Sequence, residues 1–289
     1  MAYNPKRRNY VMSGPKYAKF KADEKDYDYK LIDKRTDEIV SSPEKLFEYL
    51  EFQSRMDRYT VANAMLIMSR CPQASQLKEK EEWEKLNISL KKGANEIHVL
   101  KPEKYFKNGK AQTSTNVKYV YDISQTNALP DPEKAKRYDE RALVSALLAT
   151  AKIEKVVAKE LPVPDTCAFF DCENNTLVLK EKGGSGSKLF QDIARELSLS
   201  EIAYNSDEYN RSECEFPAEC SVYMLCRKYG IDTQGLNIHS VPDEWANKEQ
   251  KDVRLNLTMA RDSLNTISSR MYNELNREKE PKQQEQQSR

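Results

Sequence analysis

Apolar residues recur three and four positions apart along much of the chain, the spacing that puts them on one face of a helix. In "SSPEKLFEYLEFQSRM" the apolar face is Leu46, Phe47 and Leu50. Ser42 is placed to cap this helix and Pro43 to occupy its first position. "YTVANAMLIMSR" carries the stripe Val61, Met65 and Met68, and "EEWEKLN" predicts a short helix ending near Asn87. The period then falls to two. "NEIHVLKP" sets Ile97 and Val99 on one side, and "VKYVYDIS" alternates Val117, Tyr119, Tyr121 and Ile123 against Val120. Two strands are expected, joined by a polar loop, "EKYFKNGKAQTSTN", with an Asn-Gly turn.

After the Pro-rich, charged stretch "ALPDPEKAKRYDE", "ERALVSALLATAKIEKVVAKEL" predicts one long helix. "CAFFDCENNTLVLK" predicts two short strands about an Asn-Asn turn. "GGSGS" then leads into the helix "IARELSLSEIAYN", and "AECSVYMLCRKYGID" predicts another, closed by Gly230. A final amphipathic helix carries Leu257, Arg261, Leu264 and Ile267 near one edge. This order predicts an α+β fold of two domains, each with helices and a small antiparallel sheet, ending in a long helix. The expected divisions are a basic flexible arm over 1–30, a first domain over 31–130, a linker over 131–140, a second domain over 141–275 and a disordered tail over 276–289.

Length and composition narrow the class. A chain of 289 residues can bury two modest cores, and its net charge of +1 excludes a global basic bias. No apolar run approaches the roughly 20 residues that span a bilayer, and no apolar segment follows the basic N-terminus as a secretory signal requires. A cytoplasmic protein with reduced thiols is expected, and no membrane association. Cys214, Cys220 and Cys226 recur every six residues, and four residues separate Cys167 from Cys172, none of them at metal-knuckle spacing. Before Asp23 the basic residues Lys6, Arg7, Arg8, Lys16, Lys19 and Lys21 meet no acidic one, an arm suited either to a polyanion or to plain solvation.

"RYTVANAMLIMSRCPQASQL", "WEKLNISLKKGANEIHVLKP" and "YVYDISQTNALP" together resemble the N-terminal domain of ArdC-type antirestriction proteins, a pattern also seen in LtrC-like mobile-element proteins. Asn63, Leu66, Trp83, Leu86, Lys91, Lys92, Gly93, Asp122, Ser124, Gln125 and Thr126 fit that pattern in order, with Asn87 in place of its glycine and Tyr121 in place of its phenylalanine. The resemblance implies a single-stranded-DNA-binding domain on a conjugative or other mobile element. Candidate contacts are Lys91, Lys92, Lys101 and Lys118 to phosphates, Tyr119 and Tyr121 to bases, and Asn63 from the helix motif. Against these stand two plainer readings: lysines as solvated surface, and aromatics on half-buried strands as core, where Trp83 is placed.

Many such proteins carry a zincin-like peptidase domain behind the first, and the order of elements from Thr166 to Asp232 is similar to it. A zincin helix reads H-E-x-x-H, two imidazoles one turn apart on one ion with the glutamate as general base. Here the five positions are Arg195, Glu196, Leu199 at the end, and Leu197 and Ser198 between; Glu219 stands at the acidic third ligand. A guanidinium repels zinc and a leucine offers no lone pair. The expectation is a degenerate site without metal, cofactor or catalytic residue, in which Arg195 either bridges Glu196 and Glu219 or points to solvent. Single-stranded DNA is the expected partner, with a host restriction or replication protein as a further candidate. An interaction scaffold and an unconventional peptidase remain the alternatives.

Overall fold

The computed structural model describes residues 14–107, 109–128, 138–236, 238 and 240–277. The expected arm through Ser13, the linker through Arg137 and the tail from 278 onward lie outside the described residues. Two compact units emerge: Met1–Thr36 with Met65–Pro130, and Asp37–Ala64 with Asp131–Arg289. The stretch 37–64 thus groups with the C-terminal half of the chain.

In the first unit, helix α1 (Pro15–Val40) supplies its residues through Thr36. The flexible arm expected over 1–30 is therefore helical from Pro15. Its buried positions in this unit are Glu24, Asp28, Ile32 and Thr36, four apart throughout. The period is helical, but polar residues fill the first half of the buried face, so an apolar count passes over it. Asp28 meets His98 Nδ1 at 2.9 Å, and Tyr119 donates its hydroxyl to Glu24 at 2.7 Å.

Helix α2 (Pro43–Arg55) belongs to the second unit, and helix α3 (Val61–Arg70) is divided between the units after Ala64. The first unit continues with β1 (Leu77–Lys78), α4 (Lys80–Lys85), β2 (Ile97–Lys107) and β3 (Lys110–Asp122), its sheet ordered β1-β3-β2. The polar loop expected between the two strands is itself strand: β2 and β3 pair without a break to Lys107↔Lys110. Gly109, at φ 72°, takes the left-handed backbone that a two-residue hairpin turn needs. The distal half is solvated on both faces, so it carries no apolar alternation to detect. Trp83 is buried and donates Nε1–H to the Tyr121 carbonyl at 2.9 Å.

In the second unit, Ser42 caps α2 by accepting from the Lys45 amide, with Pro43 in its first turn. The long helix expected from Glu140 stops early. It is α5 (Glu140–Thr150), followed by strand β4 (Glu154–Ala158). The β-branched pair Val156–Val157 lies exposed on a sheet edge, where no core stripe distinguishes strand from helix. β5 (Ala168–Asp171) and β6 (Thr176–Lys180) form the expected hairpin, but β4 joins β6 in parallel, so this sheet is mixed. Helices α6 (Gly186–Tyr204), α7 (Arg211–Tyr229), the short α8 (Asp243–Ala246) and α9 (Gln250–Arg277) complete the unit. α9 buries Val253, Leu257, Ala260, Leu264, Ile267 and Met271, an unbroken stripe. The whole is α+β. Among the described residues no helix is long and apolar enough to cross a membrane.

Candidate functional site

α6 and α7 pack side by side, and their facing positions hold the residues that the zincin-like order singles out. Ser185 caps α6, and Gly230, at φ 73°, closes α7 with a left-handed residue. Arg195 lies between two carboxylates, with Nε 3.3 Å from Glu196 and Nη1 3.5 Å from Glu219. Both distances are long, and Nε is buried without a hydrogen-bond partner.

Glu196 is held elsewhere. It is fully buried and accepts from the Phe170 amide at 2.8 Å, while Arg211 Nη2 reaches both carboxylate oxygens at 2.9 Å. Arg211 also donates to the Phe170 carbonyl at 3.3 Å and lies over the Phe169 ring. The carboxylate that a peptidase would use as a base is thus fastened to the sheet and to the first turn of α7. Arg211 falls outside the H-E-x-x-H frame, and the one sequence signal at its position is that it opens a helix just after the capping Asn210. Leu199 packs against Phe170, Ile202, Cys214 and Ala218, so an apolar cluster fills the position of the second histidine. The set does not fit zinc. Among the described residues, no three His, Cys, Asp or Glu side chains are grouped to hold a metal ion.

Burial raises the Glu219 carboxyl above the ordinary carboxylate range, against the opposing pull of Arg195. A carboxyl raised on folding contributes stability that is full below its unfolded value and lost as pH climbs through the folded one. Glu219→Gln should remove that loss. Urea midpoints of the variant and the parent, compared at about pH 4 and about pH 7, should therefore diverge in the variant's favour at the higher pH. A difference that stays constant across the range would show an unshifted carboxyl.

Most of the DNA-binding candidates already have partners within the protein. Lys91 is committed to its own turn: its amide donates to the Gln125 carbonyl and its ammonium to the Ser124 carbonyl, both at 2.8 Å. Lys92 is exposed beside it, and Gly93 takes φ 86°. Lys101 pairs with Glu79 at 2.6 Å, and Lys118 pairs with Glu103. The Tyr119 ring has Lys21 Nζ 4.3 Å from its centre, with Glu24 on its hydroxyl. Tyr121 is half-buried beside Trp83. Asn63 is buried and belongs to the other unit.

Other residues of the motif build the loops of the first unit. The Asp122 carboxylate accepts from the amides of Ser75, Gln76 and Ser124, capping the 3-10 turn Ile123–Gln125. Asn87 stands at φ 59°, the region where asparagine is the best-tolerated substitute for glycine.

Sequence reading passed over the outer half of the β2–β3 hairpin. Phe106 is 80% exposed and Tyr105 42%. Strand alternation puts Phe106 on one face with Lys104, opposite the small Ala111, and Tyr105 on the other face with Gln112 opposite. Lys110 follows at the turn and is exposed. The clue in the sequence was "KYF", an aromatic pair inside a lysine-rich polar run.

No protein-family model matches the chain. An uncharacterized Bacillus anthracis protein whose name carries the designation pXO2 is 23% identical over 300 aligned residues, which take in 83% of this chain and 50% of the relative. The chain thus spans about half the length of the curated relative it matches. Among solved structures, the antirestriction ArdC protein from plasmid R388 is similar in two forms. The metal-free form gives a TM-score of 0.47 at 14% identity, over 75% of this chain and 85% of that one. The Mn(II)-bound form gives 0.48 at 14% identity, over 74% and 84%.

Proposed function

We propose that this protein binds single-stranded DNA through its first unit, as an accessory of a mobile element, and that its second unit is a peptidase-like domain without peptidase activity. The exposed hairpin carries the first half of this reading. Phe106 offers a π-face to an unstacked base, with Lys104 on the same face of the hairpin to meet a neighbouring phosphate, and Tyr105 with Lys110 offers the same pairing on the other face. Solvated aromatics of this size, set among cations, have no use in the core of the unit. The ordered ArdC-type motif supports the same reading, and antirestriction is the role it implies. Arg195 and Leu199 at the two histidine positions, with Glu196 fastened to Arg211, support the second half.

The test is a titration against single- and double-stranded oligonucleotides at two salt concentrations. Stacking is worth about 1–3 kcal/mol per base, so Phe106→Ala should weaken single-strand binding by roughly 5- to 150-fold. Lys104→Ala with Lys110→Ala should flatten the log–log salt slope by about 0.7 for each phosphate no longer neutralised. Lys101→Ala and Lys118→Ala, whose parents are paired with acids, should change it less. Equal affinity for duplex and single strand, or an unaltered Phe106→Ala, would sink the hairpin as the DNA-binding surface.

A further inference from the structure

The second unit contains a cleft of about 640 Å³ that nothing in the zincin-like or DNA-binding readings uses. Its walls come from the loop after α2, the end of α7 and the last turns of α9, and they include Asp57, Arg58, Lys228, Tyr229, Ser268 and Tyr272. A volume of this size suits a drug-sized or nucleotide-sized ligand. The chemistry of the wall narrows the choice.

The floor is pre-arranged and electrically settled. Lys228 Nζ meets Asp57 Oδ2 at 2.6 Å, and Ser268 donates its hydroxyl to the same oxygen at 3.4 Å. The carboxylate is therefore matched by its own ammonium. Burial, then Asp57, push the Tyr229 phenol upward, so it stays neutral and donates to the Ser268 carbonyl at 3.2 Å. The loop at the rim is fixed from behind. Gln53 donates to the carbonyls of Met56 and Tyr59, and Arg261 donates to those of Asp57, Arg58 and Tyr59.

Two groups at the mouth remain uncommitted. The Arg58 side chain is exposed and, among the described residues, makes no ion pair, so the cleft has a cation beyond those its carboxylate matches. Tyr272 is 63% exposed and lies one helical turn after Ser268, which turns its ring to the same face of α9. An unspent guanidinium and a solvated aromatic ring over a hydroxyl-lined floor are what a phosphate joined to a flat heterocycle requires. The ring stacks on the base and the guanidinium forks onto the phosphate oxygens.

We propose that this cleft binds a nucleotide, with its base on Tyr272 and its phosphate on Arg58 beside Lys228. The same chemistry is offered by a free mononucleotide and by one nucleotide of a single strand. The site lies in the second unit and its occupancy does not depend on the hairpin.

The full chain is titrated by calorimetry with dAMP, with a 5′-phosphorylated trithymidylate and with inorganic phosphate. A 5-iododeoxyuridine oligonucleotide is photo-cross-linked in parallel, and the modified peptide is mapped. The variants are Arg58→Ala and Tyr272→Ala, both at exposed positions that leave the floor intact, together with Phe106→Ala at the hairpin. The expected result is saturable binding weakened about tenfold or more by each cleft variant, with a cross-link on the α9 peptide that survives Phe106→Ala. Binding of dAMP as tight as that of the trinucleotide identifies a free nucleotide as the occupant; binding of the trinucleotide alone identifies a strand. No saturable binding of either, binding indifferent to both cleft variants, or inorganic phosphate binding as tightly as dAMP overturns the proposal. Loss of binding in Phe106→Ala alone, with the cleft variants silent, also overturns it while leaving the hairpin reading in place.

Discussion

Replacing Arg211 by alanine is expected to cost the second unit about 3–5 kcal/mol, the range for removing one partner of a buried ion pair. Glu196 has no exposed surface, and Arg211 Nη2 sits 2.9 Å from each of its oxygens. Without Arg211 the carboxylate keeps only the Phe170 amide and the long, poorly directed approach of Arg195. Arg195→Ala should cost less. Its pair with Glu219 is 3.5 Å long, and burial already moves the Glu219 carboxyl toward its neutral form. Adding Glu196→Gln to Arg211→Ala should recover part of the loss, because a neutral amide is cheaper to leave buried than a carboxylate. Urea midpoints measure the loss, and amide exchange along α6 and α7 locates it. A cost below about 1 kcal/mol, the range for exposed pairs, would mean that the Phe170 amide and Arg195 suffice for Glu196.

Elements with an apolar face and ordinary caps could be read from the chain. α2 begins at Ser42 and Pro43, and α7 ends at Gly230, because capping is local chemistry. The α+β class and the long last helix follow from the same signals. The elements that escaped have solvent or polar groups where a core face was sought. α1 buries Glu24 and Asp28 against His98 and Tyr119, and β4 and the outer hairpin are exposed. The candidate site was legible as positions and not as partnerships. Arg195, Glu196 and Glu219 do converge, but which arginine holds Glu196 depends on where the turn before α7 ends. The lysines of the first unit illustrate the same limit: sequence shows their charge, and only the fold shows that Lys91, Lys101 and Lys118 already have partners.

Asp122→Ala should be among the most damaging single changes in the first unit, at about 3–5 kcal/mol, in the exceptional tail for point substitutions. The side chain is fully buried and accepts three backbone amides: Ser75 at 2.7 Å and Gln76 at 2.9 Å on one oxygen, Ser124 at 3.0 Å on the other. Hydrogen bonds to a charged group contribute roughly 1.5–3 kcal/mol each, and an amide left unsatisfied costs about 1–3 kcal/mol. These sum to less than their total because the loop can relax toward water. Asp122→Asn keeps one acceptor oxygen but turns an NH₂ toward N–H donors, so it should fall between Ala and the parent. The damage should spread in a set direction. Ser124 and Gln125 supply the carbonyls that hold Lys91, so loosening the 3-10 turn releases the Lys91–Gly93 turn as well. Amide exchange should therefore quicken at Ser75, Gln76 and Ser124 and at Lys91, while the hairpin end around Phe106 keeps its parental rate. If Asp122→Ala unfolds within 1 kcal/mol or so of the parent, the aspartate of the Asp-x-Ser-Gln-Thr motif is not there to build the loop, and a direct contact with a ligand becomes the better account of it.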